Sequence, residues 1–282
     1  MDSPTSMSPA AQRHFRLLSG IVRLWMAGPF VDVRIAGRAH IPSTGRVVIA
    51  CNHPSMLNTL IPWAVMDRNP AVLVISHAFR VPVLGHILRA LGNVSVRRDQ
   101  RSRHLPRRDN RLHRAASAKA AVDVLVHGGV VQLYPEGKIA RGWLRRGHVL
   151  QDLAPGVARI ARVTGSPIVP FGIRLGWRFG RRGLQHTVRI NVGPPIDTTG
   201  SPDDTALVGQ VREALGRLSG LPDEAGTTTA LSPTSPTPEP SGLRRPDHGH
   251  HPGRAAEVAA AVGPLLTHGA PAGRAVTRPG MP

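Results

Sequence analysis

Two residues of this chain stand out as able to do chemistry: a histidine at a polar elbow and a carboxylate in a proline–glycine turn. The histidine is His53, within Ile49-Ala50-Cys51-Asn52-His53-Pro54-Ser55-Met56-Leu57-Asn58, where a β-branched run gives way to polar residues and then to an apolar, helix-like segment. An imidazole titrates near neutrality, so at such an elbow it can take a proton from a hydroxyl while the strand behind it holds its backbone. Asn52, Ser55 and Asn58 are also competent caps for the helix that follows, which gives the motif a purely structural reading as well. The carboxylate is Glu136, in Tyr134-Pro135-Glu136-Gly137, a sequence equally suited to a site or to an ordinary turn.

The charge balance bears on what such a site would meet. The 282 residues carry a formal charge of +19, nearly all of it arginine, with Lys119 and Lys138 the only lysines. The densest basic run extends from Arg97 to Arg114 and includes Arg98. A basic surface concentrates anionic partners, whether nucleic acid or anionic lipid. The run has no interleaved aromatics on which bases could stack, and aromatics make up 4% of the chain. That favours phosphates at a membrane surface, and no specific nucleic-acid partner is expected.

Other chemistries lack their local geometry. There is no Gly-x-Ser-x-Gly elbow, no His-Glu-x-x-His, no P-loop and no Gly-x-Gly-x-x-Gly after a strand. The single cysteine, Cys51, excludes an intramolecular disulfide, and no Cys/His spacing suggests zinc. Cys51 reads as a small buried strand-end residue rather than a nucleophile.

The elements that must position these groups alternate. Strand-like runs occupy 46–51, 71–76, 129–134, 168–173 and 187–192, with helical patterns at 57–66, 81–91, 111–127 and 155–163 between them. A last helix carries Leu207, Val211, Leu215 and Leu218 on one face. The alternation predicts an α/β domain, a mostly parallel central sheet flanked by helices, over 35–220. Sites in such sheets gather at the carboxyl ends of strands, where Asn52-His53 and Pro135-Glu136 both fall.

Residues 1–34 form an N-terminal segment in which an apolar stretch is broken by Arg13, Arg16 and Arg23. That pattern is too interrupted for a membrane span, which needs ~20 apolar residues, and it fits an amphipathic helix lying on a membrane surface or packed on the domain. From Leu221 to Pro282 the chain is rich in Pro, Ser, Thr and Gly; too apolar-poor to offset its ordering entropy, this tail is expected to be disordered.

The motif around His53 resembles the His-x-x-x-x-Asp signature of the glycerolipid acyltransferases, the family that includes the lysophosphatidate acyltransferases. Three further blocks follow in the family's order: Gly92-Asn93-Val94-Ser95-Val96-Arg97-Arg98, Tyr134-Pro135-Glu136-Gly137, and Ile168-Val169-Pro170-Phe171-Gly172-Ile173. The resemblance covers roughly residues 35–200. It implies His53 as the base and position 58 as its partner, although the family's aspartate is here Asn58. It also implies Arg98 and Lys138 as phosphate contacts, Glu136 as guide of the acceptor hydroxyl, Gly137 as the point of close backbone approach, and Pro170 as a wall of the acyl pocket. Where the family usually reads Glu-Gly-Thr-Arg, this chain reads Glu136-Gly137-Lys138-Ile139, a Glu-Gly-Lys form that the family's remodelling branch shares.

The activity so implied is transfer of a fatty acyl group from acyl-coenzyme A or acyl carrier protein to a lysophospholipid hydroxyl, 1-acylglycerol-3-phosphate by the family's type. It needs no metal or bound cofactor, and it would take place on the cytoplasmic face of an anionic membrane, peripherally. With Asn58 in place of aspartate, the alternative is a catalytically weak or inactive lipid-binding relative.

Overall fold

The computed structural model describes residues 9–55, 59–96, 107–137, 149–180, 183–200 and 203–221. Among these residues seven strands form one sheet: β1 (Val31–Ala36), β2 (Val47–Cys51), β3 (Pro70–Ile75), β4 (Val94–Val96), β5 (Val130–Leu133), β6 (Ile168–Gly180) and β7 (Gly183–Val192). Their order is β1-β7-β6-β2-β5-β3-β4, and every pairing is parallel except the antiparallel ribbon of β6 and β7. Among the described residues six α-helices cover it: α1 (Pro9–Met26), α2 (Ile61–Val65), α3 (Pro82–Ala90), α4 (Arg107–Val126), α5 (Gly156–Thr164) and α6 (Asp204–Ser219). The α/β class and the mostly parallel sheet are those expected from the alternation.

Strand alternation sorts the core into two layers. Val48, Ala50, Val131, Leu133 and Ile168 face α4, α5 and α6, whereas Val47, Ile49, Cys51, Val169, Phe171 and Ile173 face α1 and α2. β2 is buried on both faces along its length, as a central parallel strand should be. α6 is capped by Asp203, whose side chain accepts from Ala206 N–H, and is tied to α5 by Asp204 with Arg159 and Arg162 at 3.2 and 2.7 Å. Leu207, Val211 and Leu215 are buried, and Leu218 sits over Gly172, where a Cβ would lie 2.3 Å from the helix backbone.

Several elements differ from the sequence-based expectation. β1 begins inside the segment 1–34 expected to form an amphipathic helix; Gly28 and Pro29 end α1 and release the chain into a strand that pairs with β7 from Val31 to Ala36, across the expected domain boundary at residue 34. β4, three residues long, is too short to show a period. β6 continues seven residues past Ile173 because Arg174 to Phe179 alternates polar and apolar residues, the pattern of a two-sided ribbon. α2 spans one turn only, and residues 56–58 lie outside the described residues, as does the tail 222–282.

α1 packs through Ala11, Phe15, Ser19, Val22 and Met26, while Leu17, Ile21 and Leu24 are exposed on its outer side. No helix among the described residues is long and apolar enough to cross a membrane.

Candidate active site

The elbow after β2 is built by Asn52. Cys51 is level with Phe171 in the β2–β6 ladder. One step on, the Asn52 side chain takes over the pairing: Nδ2 donates to the Ile173 carbonyl at 2.9 Å and Oδ1 accepts from Ile173 N–H at 2.7 Å. A side chain thus supplies the next rung of the ladder, and the backbone can leave the sheet at His53. This is a different role from helix capping, the one suggested by its residue type.

His53 is half-buried, at the carboxyl end of the central strand. Its backbone N–H donates to Glu136 Oε1 at 2.8 Å, and its ring stacks on Tyr134 with centroids 4.2 Å apart and planes 23° from parallel. Both contacts come from the end of β5, the strand beside β2. There Tyr134 to Gly137 forms a turn closed by Gly137 N–H donating to the Tyr134 carbonyl at 2.8 Å. Proline at the second position and glycine at the fourth suit that turn, and Gly137 adopts φ 60°, which a side chain would strain.

Glu136 is itself buried. Its second oxygen accepts from Gln151 N–H at 3.2 Å, and Ala154 N–H donates to the Pro135 carbonyl at 2.8 Å, so the turn fastens the 149–154 segment as well as the elbow. Burial pushes the Glu136 carboxyl above its ordinary range, while the two backbone donors and the Arg212 charge pull it back. Below the ring stack, Gln132 Nε2 donates to the Tyr134 hydroxyl at 2.6 Å and reaches the Thr59 carbonyl at 3.5 Å. Burial holds the Tyr134 phenol well above its usual value, so it stays neutral. Burial likewise pushes the Cys51 thiol far up, which leaves it a packing residue and no thiolate nucleophile.

The structure brings His53, Glu136 and Gly137 together. Pro170 is placed apart from them. It pairs with Ala50 three residues before His53, alternates with Val169 and Phe171 onto the α6 side, and lies beside Leu218 against Gly193. Asn58, Arg98 and Lys138 lie outside the described residues. Spacing gave Tyr134, Gln132 and Gln151 no role; only the adjacency of β2 and β5 reveals one. Among the described residues, no three His, Cys, Asp or Glu side chains converge as a metal centre.

The arrangement is a fixed imidazole with an aromatic floor and a carboxylate behind it, at the end of a parallel sheet. It can accept a proton from a hydroxyl held in front of the ring.

Two comparisons with known proteins found matches and a third found none. The family model described as Acyltransferase matches residues 32–174. Among solved structures, the chain is similar to the 1-acyl-sn-glycerophosphate (LPA) acyltransferase PlsC from Thermotoga maritima, at 19% identity over 73% of this chain and 77% of that one, with a TM-score of 0.55. No curated protein sequence matches the chain. The family match takes in both the His53 elbow and the Glu136 turn, and the shared fold agrees with it: the chain belongs to the Acyltransferase family.

Proposed function

We propose that the protein transfers a fatty acyl group from a thioester, acyl-coenzyme A or acyl carrier protein, to the hydroxyl of a lysophospholipid, of which 1-acylglycerol-3-phosphate is the type, in phospholipid synthesis. The observation that carries the reading is His53, stacked on Tyr134 and held by Glu136 at the carboxyl end of β2, in a chain of the Acyltransferase family. His53 takes the acceptor's hydroxyl proton as the oxygen attacks the thioester carbonyl. As the tetrahedral intermediate collapses, the C–S bond breaks and the thiol sulfur leaves with the proton returned by the imidazolium. The acyl group ends on the acceptor oxygen and the free thiol is the second product.

In this reading Asn58 orients the imidazole in place of the family's aspartate, and Arg98 and Lys138 bind the acceptor's phosphate. Glu136 fixes the direction from which His53 works and offers its remaining lone pairs to the acceptor's glycerol hydroxyl. A lipid acceptor requires a surface at which to meet it. The outer stripe of α1, with Leu17, Ile21 and Leu24 exposed beside Arg13 and Arg16, suits the plane of an anionic membrane, where the protein would sit peripherally on the cytoplasmic side.

The test is release of free thiol from acyl-coenzyme A by purified protein with a panel of lysophospholipids, repeated with acyl carrier protein as donor. Acceptor-dependent release that disappears in His53→Ala is expected. Absence of release with both donors would instead favour the second reading, a lipid-binding relative with weak or no catalysis, which rests on Asn58 standing where the family has aspartate.

A further inference from the structure

Beyond Ile173, β6 has left β2 and pairs only with β7; β1 stays on β7 as far as His186, opposite Trp177, and past that level β6 and β7 alone continue as a short two-stranded ribbon. β6 runs parallel to β2, so the ribbon extends past the end at which His53 lies. At ~3.4 Å per residue, Phe179 stands roughly 20 Å beyond the level of Ile173.

The ribbon is two-faced. On the α1 side, Trp177 is 55% exposed, Phe179 86% and Leu184, directly across from Phe179, 49%. Trp177 stacks edge-on against His186 at 4.8 Å, and His186 touches Trp25 at the end of α1 at 6.1 Å, so this apolar face runs on into the outer stripe of that helix. Phe30, 63% exposed, continues it, with its carbonyl accepting from His186 N–H at 2.8 Å. On the opposite face, near the root, Arg34, Arg189 and Arg174 are cross-strand neighbours and all exposed. Asp32 on this face pairs with Arg178 at 3.2 Å and lies 4.0 Å from Arg34, so one carboxylate stands among four arginines and the face keeps a net positive charge that an anionic surface would offset.

Aromatic rings and leucine at a projecting tip, with arginines behind them, match the depth profile of a bilayer: apolar below the headgroups, phosphates above. A chain with a net charge of +19 is drawn to an anionic bilayer in particular. We propose that the β6–β7 ribbon is a membrane-inserting element. Trp177, Phe179 and Leu184 enter the interface of an anionic bilayer, and the arginine row meets lipid phosphates. Because the ribbon rises from the His53 end of the sheet, its insertion holds that end against the surface. This rests on the lipid-acceptor reading of the site and adds the element that brings the site to its substrate.

The experiment uses the full chain as Phe179→Cys carrying an environment-sensitive fluorophore; Cys51 is buried and does not compete for the label. Vesicles of phosphatidylcholine and phosphatidylglycerol are added, and flotation is measured beside the Trp177→Ser/Phe179→Ser double variant. Expected are a blue-shifted, brighter emission that a bilayer-embedded quencher suppresses, and flotation weakened roughly tenfold or more in the double variant. The double variant should still acylate a short-chain acceptor dissolved in water while losing activity on acceptor in vesicles. If flotation persists in the double variant and the label stays in water, the ribbon proposal is overturned and α1 alone does the docking. A label that responds to protein concentration without lipid overturns it in favour of a second copy of the chain. Wild type that does not float overturns both ribbon and membrane location, whereas the acyl-transfer reading stands or falls on the water-soluble acceptor.

Discussion

The backbone N–H of His53 donates to Glu136 Oε1 at 2.8 Å, across 83 residues of sequence. The carboxylate thus acts on the histidine through its main chain, and the same carboxylate accepts from Gln151 N–H on its other oxygen. The third motif holds the first in place.

Removing that carboxylate should cost both stability and rate. Glu136→Ala strands two N–H groups, each worth about 1–3 kcal/mol when left unpaired in a buried place. Denaturant unfolding should show a loss of that order, and turnover should fall with little change in thioester KM. Glu136→Gln should lie between, because its amide NH₂ faces one of the two donors while its oxygen serves the other. The pH dependence has a definite sign. Burial raises the Glu136 carboxyl in the folded state, so the native protein holds this proton at a pH where the unfolded chain has lost it. Its contribution to stability is therefore present below the ordinary carboxyl range and is lost as pH rises through the raised value. The difference in unfolding free energy between wild type and Glu136→Gln should change across that window and be level on either side.

Asn52 is the second hinge of the site. Its side chain both donates to and accepts from Ile173, and it is fully buried. Asn52→Ala leaves a buried carbonyl and a buried N–H unpaired, at about 1–3 kcal/mol each. The elbow loses its fixed exit from the sheet, so activity should fall further than the lowered melting temperature accounts for. Turnover measured well below the melting transition separates the two effects. Asn52→Asp keeps the acceptor but sets a carboxylate against the Ile173 carbonyl, and should be at least as damaging.

Much of this was legible in the sequence. Central strands such as β2 and β5 are continuous apolar runs ended by polar elbows, and their carboxyl ends carry Asn52-His53 and Pro135-Glu136 as a parallel sheet requires. The parts that escaped depend on partners distant in the chain. Asn52 finds Ile173 at a separation of 121 residues, and no local spacing marks that pairing. Tyr134 acquires a role only because β5 pairs with β2. The ribbon was missed for a local reason: its arginines alternate with Leu175, Trp177 and Phe179, so the apolar run ends at Ile173 while the strand continues.

Tyr134 allows the ring stack to be separated from the hydroxyl. Tyr134→Phe keeps the face under His53 and loses the 2.6 Å bond from Gln132, so about 1 kcal/mol of stability should go while turnover stays close to wild type. Tyr134→Leu removes the face. Aromatic stacking is worth about 0.5–1.5 kcal/mol, and an imidazolium gains further from a ring beneath it. The Leu variant should lose up to roughly tenfold in turnover beyond the Phe variant. A Leu variant equal to the Phe variant in rate would reduce Tyr134 to a packing residue.

Asn58→Asp asks whether the altered motif limits the chemistry. In the proposed reaction His53 becomes a cation when it takes the hydroxyl proton, and a carboxylate at its far nitrogen would both stabilise that charge and select the tautomer that leaves the working nitrogen unprotonated. Asparagine offers an oxygen of the right kind with no charge. In serine-protease triads the aspartate-to-asparagine change costs about 10⁴ in turnover, which bounds the gain open to the reverse substitution here. Turnover in the thiol-release assay should rise by at least about tenfold in Asn58→Asp, with thioester KM nearly unchanged, because the new charge acts in the transition state and leaves ground-state binding alone. The doubly substituted His53→Ala/Asn58→Asp protein should be as inactive as His53→Ala, since the carboxylate works only through the imidazole. A gain that survives loss of His53 would place the base elsewhere. An unchanged rate in Asn58→Asp would mean that the Glu136 and Tyr134 contacts already hold His53 in its working state.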